Sequence, residues 1–133
     1  MKEDTSRFIN LENRLIEFAV CCFKISDGIK NNSAGRHLKN QLIRSGSSPA
    51  LNYAEARRTE SKKDFIHKVK IVLKELHETD VCLKIIAKTN SYQGNYNHES
   101  AARECNELIS IFVTSVNTAQ KNLATKKPSK SKA

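Results

Sequence analysis

The sequence predicts an all-α protein, an antiparallel up-down-up-down four-helix bundle. Apolar residues recur at alternating steps of three and four along four segments, which is the period of a helix with one buried face. Only four glycines and two prolines occur in 133 residues, and the connections are short, as in up-and-down bundles. The predicted bundle covers residues 1–124, with helices at about 7–30, 34–58, 62–89 and 98–123.

The first helix has the most regular pattern. Its apolar positions are Phe8, Leu11, Leu15, Phe18, Cys22, Ile25 and Ile29. Four further apolar residues widen this stripe, at Ile16, Ala19, Val20 and Phe23. The helix should therefore contact two or three neighbours. A polar segment at 30–35 ends it, and Ser33 is a good N-cap for the second helix.

The second helix contains an unusual segment around Pro49. Proline has no backbone N–H for the carbonyl four residues earlier, and its ring disfavours a helical conformation at Ser48. Two alternatives remain open: one helix kinked at Pro49, or a helix that restarts there with Ser48 as N-cap. In either case small residues recur at every fourth position, at Gly46, Ala50 and Ala54. Another helix can pack closely against this face.

The third and fourth helices follow from the same spacing. Ser61 and Asp64 form a start similar to a capping box. A polar loop at 89–97 separates the two helices, and the fourth helix is apolar over more than one face. Residues 125–133 are basic and have no apolar residue that could pack against a core, which predicts a disordered tail.

The four predicted helices have more apolar positions than a single core can bury. We therefore expect a homo-oligomer.

Two segments, 41–56 and 61–79, resemble a known family. They read QLIRSGSSPALNYAEA and, in the second, SKKDFIHK followed by LKELHET. They resemble bacterial four-helix-bundle proteins encoded in intervening sequences of 23S ribosomal RNA genes, related to the accessory protein of diversity-generating retroelements. The resemblance implies a ring, most often of five copies, nucleic-acid binding in the retroelement relatives, and no catalytic activity. A reverse transcriptase or another protein is then a further candidate partner. Pro49 departs from the pattern, because many relatives carry a smaller or aliphatic residue there.

The charge balance favours a polyanionic partner. Lysine and arginine outnumber acidic residues by 23 to 14, a formal net charge of +9. The candidate nucleic-acid contacts are a row on helix three, Lys63, His67, Lys70 and Lys74, together with Arg57, Arg58, Lys62, Lys126 and Lys127. Aromatic residues are absent from the row, so binding to RNA or DNA should be electrostatic and tolerant of sequence. An ordinary solvated face is the alternative, because Glu60, Glu75 and Glu78 lie nearby.

No pattern in the sequence predicts a catalytic, cofactor or metal site. The four cysteines, Cys21, Cys22, Cys82 and Cys105, lack the spacing of metal ligands and fit buried core positions in a reducing cytoplasm. Asp64-x-x-His67 is a single motif, whereas di-iron bundles use two. The N-terminus has no apolar signal core. We therefore expect a cytoplasmic protein that is not an enzyme and has no membrane partner.

The remaining polar residues of helix two are expected to be structural. Arg44, Asn52 and Glu55 lie near the small-residue face, together with Gly46 and Pro49, and should fix the register of the bundle or ring. Glu55 should pair with Arg44, with Arg58 or with a basic residue of another helix, and Asn52 should bond the backbone opened by the proline. A small-ligand pocket is the alternative.

These observations predict a non-enzymatic, homo-oligomeric scaffold with sequence-tolerant nucleic-acid binding, of the ribosomal or retroelement accessory type. The alternative is a protein-protein adaptor with no role in nucleic-acid binding.

Overall fold

The computed structural model describes the backbone of residues 2–132 and the side chains of residues 6, 7 and 9–125. Its four helices are α1 (Lys2–Asp27), α2 (Ser33–Ala56), α3 (Lys62–Lys88) and α4 (His98–Lys132). No strand is present within residues 2–132. The prediction of an all-α four-helix bundle is confirmed.

The bounds of the helices differ most from the prediction at the two ends of the chain. Helix α1 begins at Lys2, and α4 is assigned to Lys132 although its apolar pattern stops near Leu123. The predicted tail at 125–133 lies almost wholly outside the residues whose side chains are described. Its disorder, and the roles of Lys126 and Lys127, therefore stay predictions.

Helices α1 and α2 approach each other closely at the small-residue face. Gly46 lies against Cys22, and a Cβ added to the glycine would be 2.7 Å from both the Cβ and the Sγ of that cysteine. Farther along, Glu12 of α1 accepts a hydrogen bond from Arg57 at the end of α2, at 2.7 Å. Residues late in α1 thus meet the middle of α2, and residues early in α1 meet its end.

Helix α2 passes through Pro49 without interruption. The alternative of a helix that restarts at Ser48 is therefore wrong, and the kink stays a prediction. The Nδ2 of Asn52 donates to the carbonyl and the Oγ of Ser48, at 3.0 and 2.9 Å. The predicted partner of Asn52 is thus also wrong, because the carbonyl that loses its donor to proline is that of Ser45, four residues before it.

Three of the four cysteines predicted to be buried lie in the core, whereas Cys21 is only partly buried. The Sγ of Cys105 donates to the carbonyl of Leu76 at 3.3 Å, and that of Cys82 to the carbonyl of Leu38 at 3.6 Å. Burial raises the pKa of Cys82 to about 11 and that of Cys105 to about 12, and it also raises the pKa of Cys22. All three thiols are therefore neutral packing residues at physiological pH.

At one end of the bundle the α1–α2 and α3–α4 connections are joined. The backbone N–H of Lys30 donates to the carbonyl of Ser91, and that of Gln93 to the carbonyl of Gly28, both at 2.8 Å. The N-cap of α2 is Asn32 instead of the predicted Ser33, since the side chain of Asn32 accepts from the backbone N–H of Gly35, the third residue of the helix. Both residue types are good caps, so composition could not separate them.

The close approach at Gly46 predicts a cost for any side chain there. Gly46→Ala should lower the free energy of unfolding by about 1–3 kcal/mol, because overpacking against Cys22 outweighs the gain in helix propensity of about 1 kcal/mol. Chemical denaturation measures this change. Ser47→Ala, in the same turn, should change stability by less than about 0.5 kcal/mol. A stabilised Gly46→Ala variant would mean that α1 and α2 are farther apart.

Two serines provide a matched comparison, because each is 1% exposed. The hydroxyl of Ser26 donates to the carbonyl of Cys22 at 2.8 Å, whereas the Oγ of Ser45 has no hydrogen-bond partner among the described residues. Ser26→Ala should therefore lower the free energy of unfolding by about 0.5–1.5 kcal/mol. Ser45→Ala should leave it unchanged or raise it, since a buried polar atom without a partner is unfavourable. Equal losses in the two variants, measured by denaturation, would contradict this assignment.

Candidate nucleic-acid interface

The basic row predicted on helix three forms one exposed face of α3. Lys63, His67, Lys70 and Lys74 are all exposed and follow each other at steps of three or four residues. None of the four takes part in an ion pair within the described part of the chain. At 1.5 Å per residue the row extends about 16 Å, the length of roughly five stacked nucleotides of one strand. We call this surface the α3 basic face.

Two acidic residues of α3, Glu75 and Glu78, pair with an arginine of α2. Arg44 donates to Glu75 at 2.8 Å and to Glu78 at 2.9 Å. The side chain of Glu75 is only 9% exposed, so this carboxylate needs its partner. The hydrogen bond to Glu75 is the main reason why the pKa of Arg44 is raised. Two of the three carboxylates that would favour an ordinary solvated face are thus engaged by a single arginine of α2.

A second ion pair joins α2 to α3. Glu55 accepts from the Nζ of Lys68 at 2.7 Å, so its partner is the basic residue of another helix, one of the three alternatives predicted. Lys68 is consequently engaged at the seam between the helices and does not contribute to the α3 basic face. Arg44 and Glu55 are thus both engaged with α3, and the alternative of a small-ligand pocket stays a prediction.

The three basic residues around the α2–α3 connection have unequal environments. Arg57 is half-buried and donates to Glu12 at 2.7 Å, so its charge is already compensated. Arg58 is exposed, and its guanidinium donates to the carbonyl of Ala54 at 2.7 Å. Lys62 is exposed at the first position of α3. Arg58 and Lys62 therefore extend the α3 basic face at its N-terminal end, whereas Arg57 is poorly placed to bind a phosphate.

The structure brings together a further basic cluster that the sequence analysis missed. Lys30, Arg36 and Lys39 surround a hollow of about 280 Å³ at the α1–α2 turn, together with Asn31 and Asn40. These residues come from the α1–α2 connection and from the first two turns of α2, so they have no recognisable period in the sequence. The cluster adds positive charge at the end of the bundle opposite the α2–α3 connection.

The described residues offer no centre for metal chemistry. Within them, no group of three or more His, Cys, Asp or Glu side chains could hold a metal ion. Asp64 and His67 are both exposed on the surface of α3. None of the helices, over its described residues, has an apolar stretch of the length and hydropathy needed to cross a bilayer.

Comparisons with known proteins give one family profile and one similar solved structure. Residues 9–114 match the sequence profile described as 23S rRNA-intervening sequence protein. A search of curated proteins finds no match. Among solved structures, this chain is similar to a crystal structure of a protein with unknown function from the S23 ribosomal protein family of Bacteroides thetaiotaomicron. The two share 27% sequence identity with a TM-score of 0.72, over 83% of this chain and 97% of the other.

The family profile covers most of the four-helix bundle, including the whole α3 basic face. The chain therefore belongs to the family of 23S rRNA-intervening sequence proteins.

Proposed function

We propose that this protein is a non-enzymatic, homo-oligomeric scaffold that binds RNA or DNA through the α3 basic face. The observation that carries the proposal is the exposure of Lys63, Lys70 and Lys74, none of which has an ion pair among the described residues. Of the acidic residues near them in the sequence, Glu75 and Glu78 are engaged by Arg44 of α2. A net charge of +9 supports the same conclusion.

The chemistry of this face supports contacts to phosphates and not to bases. Lysine ammonium groups bind phosphates as point charges, and the face carries no aromatic side chain on which a base could stack. Affinity should therefore fall steeply with salt and depend little on sequence. A scaffold of this kind would follow the backbone of a strand and leave its bases available to other molecules.

A homo-oligomer would multiply this weak contact. Nine large apolar side chains are exposed among the described residues, and several share a helix face: Ile9, Ile16, Val20, Phe23, Ile43, Leu51, Val81, Ile85 and Val113. Apolar surface of that extent usually marks association sites. In a closed ring, most simply the pentamer that the family resemblance implies, one α3 basic face per copy would bind a polyanion with much higher avidity than a single copy.

An adaptor that binds another protein remains the second candidate, because an apolar groove lies between α2 and α3. The groove is lined in part by Leu38, Val81 and Ile85. A reverse transcriptase or a different protein would then be the partner, and the positive charge would serve solubility alone.

Charge reversal tests the proposal directly. Lys63→Glu, Lys70→Glu and Lys74→Glu together should weaken binding of labelled single-stranded RNA at about 150 mM salt by at least tenfold, because three phosphate contacts become repulsive. Fluorescence anisotropy measures the affinity. The control variant carries Arg7→Glu, Arg103→Glu and Lys121→Glu, three exposed residues outside α3.

Both triple variants lower the net charge by the same amount, so a general charge effect would weaken them equally. Equal losses in the two variants would contradict an interface on α3. Absence of RNA and DNA binding by the unmodified protein would favour the adaptor.

The tail provides a separate prediction. Removal of residues 124–133 deletes four lysines without removing any residue of the buried core. Thermal unfolding should change little, whereas affinity for RNA should fall, since fewer counterions are released on binding. If the protein is an adaptor, the truncated chain should keep its partner with unchanged affinity. Loss of the folded state on truncation, detected by circular dichroism, would show instead that the end of α4 is structural.

A further inference from the structure

Helix α1 carries an apolar stripe that no other helix covers. Its members are Ile9, Ile16, Val20 and Phe23, each about 40% exposed. Contacts of α1 with α2 include those of Glu12 and Cys22, and α1 forms ion pairs with α4 through Arg14. We call these four residues the outer stripe. Its last three members have the i, i+4, i+7 spacing with which an amphipathic helix anchors itself in a groove.

A groove of suitable character lies on the opposite part of the same molecule. It is formed by residues 34–41 of α2 and 77–89 of α3 and has a volume of about 580 Å³. Leu38 and Cys82 are buried along it, while Val81 and Ile85 are exposed. The groove is about 18 Å long at 1.5 Å per residue, and the outer stripe from Ile9 to Phe23 is about 21 Å long. The two surfaces therefore match in length and in apolar character.

The charges beside the two surfaces are opposite in sign. Glu17 and Asp27 lie beside the outer stripe, and both are exposed and lack an ion pair among the described residues. Lys88 is exposed near the groove and likewise has no ion pair among the described residues, and His37 and His77 line the groove as polar groups. Carboxylates at one surface and an ammonium group at the other favour the approach of the two surfaces.

The charges of opposite sign at each surface are already engaged within the molecule. Lys24, next to the outer stripe, lies 5.8 Å from the centre of the Tyr96 ring. Glu78, which lines the groove, is paired with Arg44 at 2.9 Å. Contacts of stripe with stripe would place Glu17 and Asp27 against their own copies, and like charges oppose such contacts.

We propose that the outer stripe of one copy lies in the α2/α3 groove of the next copy. This inference rests on the homo-oligomer of the proposed function and identifies its interface. Each copy contributes a stripe to one neighbour and a groove to the other, so the contact is heterologous and generates a ring when the rotation closes. The α3 basic face begins at Lys63 and ends at Lys74, before the groove, and so remains exposed in every copy.

Three valine substitutions test the interface. Val20→Glu alters the stripe, Val81→Glu alters the groove, and Val113→Glu on α4 is the control, since Val20 and Val113 are both 39% exposed. Multi-angle light scattering measures the mass against a monomer of 15.0 kDa. Val20→Glu and Val81→Glu should each be monomeric, while Val113→Glu keeps the mass of the unmodified oligomer.

Mixing the two monomeric variants gives the sharpest result. Val20→Glu retains an intact groove and Val81→Glu an intact stripe, so a 1:1 mixture should form a heterodimer of twice the monomer mass and nothing larger. Retention of the oligomer by either variant, failure of the mixture to dimerise, or dissociation of Val113→Glu would each overturn the proposed interface. Phe23→Ser and Ile85→Ser provide a second pair if circular dichroism shows that a glutamate variant has lost its helices.

The unmodified protein separates this inference from the proposed function. If it is oligomeric and binds RNA while the variants stay assembled, only the pairing of stripe and groove is wrong. If it is a 15.0 kDa monomer, the homo-oligomer and the interface both fail.

Discussion

The ion pairs of Arg44 with Glu75 and Glu78 are the interaction on which the character of α3 depends. They hold two carboxylates of α3 at its seam with α2, at 2.8 and 2.9 Å from the guanidinium. Arginine suits this role because its planar fork can donate to two carboxylates at once. Since the side chain of Glu75 is almost fully buried, loss of Arg44 would leave a charge without a partner in a poorly solvated place. One α2 residue therefore both joins the two helices and engages two of the acidic residues that lie near the α3 basic face.

The fold could be predicted from the sequence because the helix period is repeated four times and the breaks between segments are strongly polar. The small residue at Gly46 likewise indicated a close helix contact, although only the structure shows that the neighbour is α1. Hydrogen-bond partners were less predictable, since several residues at the right distance compete for each one. Asn52 bonds its own helix at Ser48, and Glu55 selects Lys68 from three alternatives.

The candidate site was predicted only in part, because the sequence does not show which residues pair with each charged side chain. A row on one helix has a period that the sequence displays, and Lys63, Lys70 and Lys74 are exposed as expected. Arg57 could not be recognised as compensated, because its partner Glu12 is 45 positions away. The α2/α3 groove has no sequence signature either, since its two walls belong to different helices. Surfaces assembled from distant segments become visible only when the helices are packed.

Binding of nucleic-acid phosphates by the α3 basic face of an assembled protein has a specific signature in the salt dependence of the affinity. Affinity for a labelled single-stranded RNA should be measured across a salt series, at protein concentrations where light scattering confirms an oligomer. Three phosphate contacts from one copy give a slope of log K against log salt of about −2, and engagement of several copies must give a steeper one. A steeper slope, equal for RNAs of different sequence, is the predicted result. Binding no stronger than that of an unrelated protein with the same net charge would contradict phosphate binding by this face.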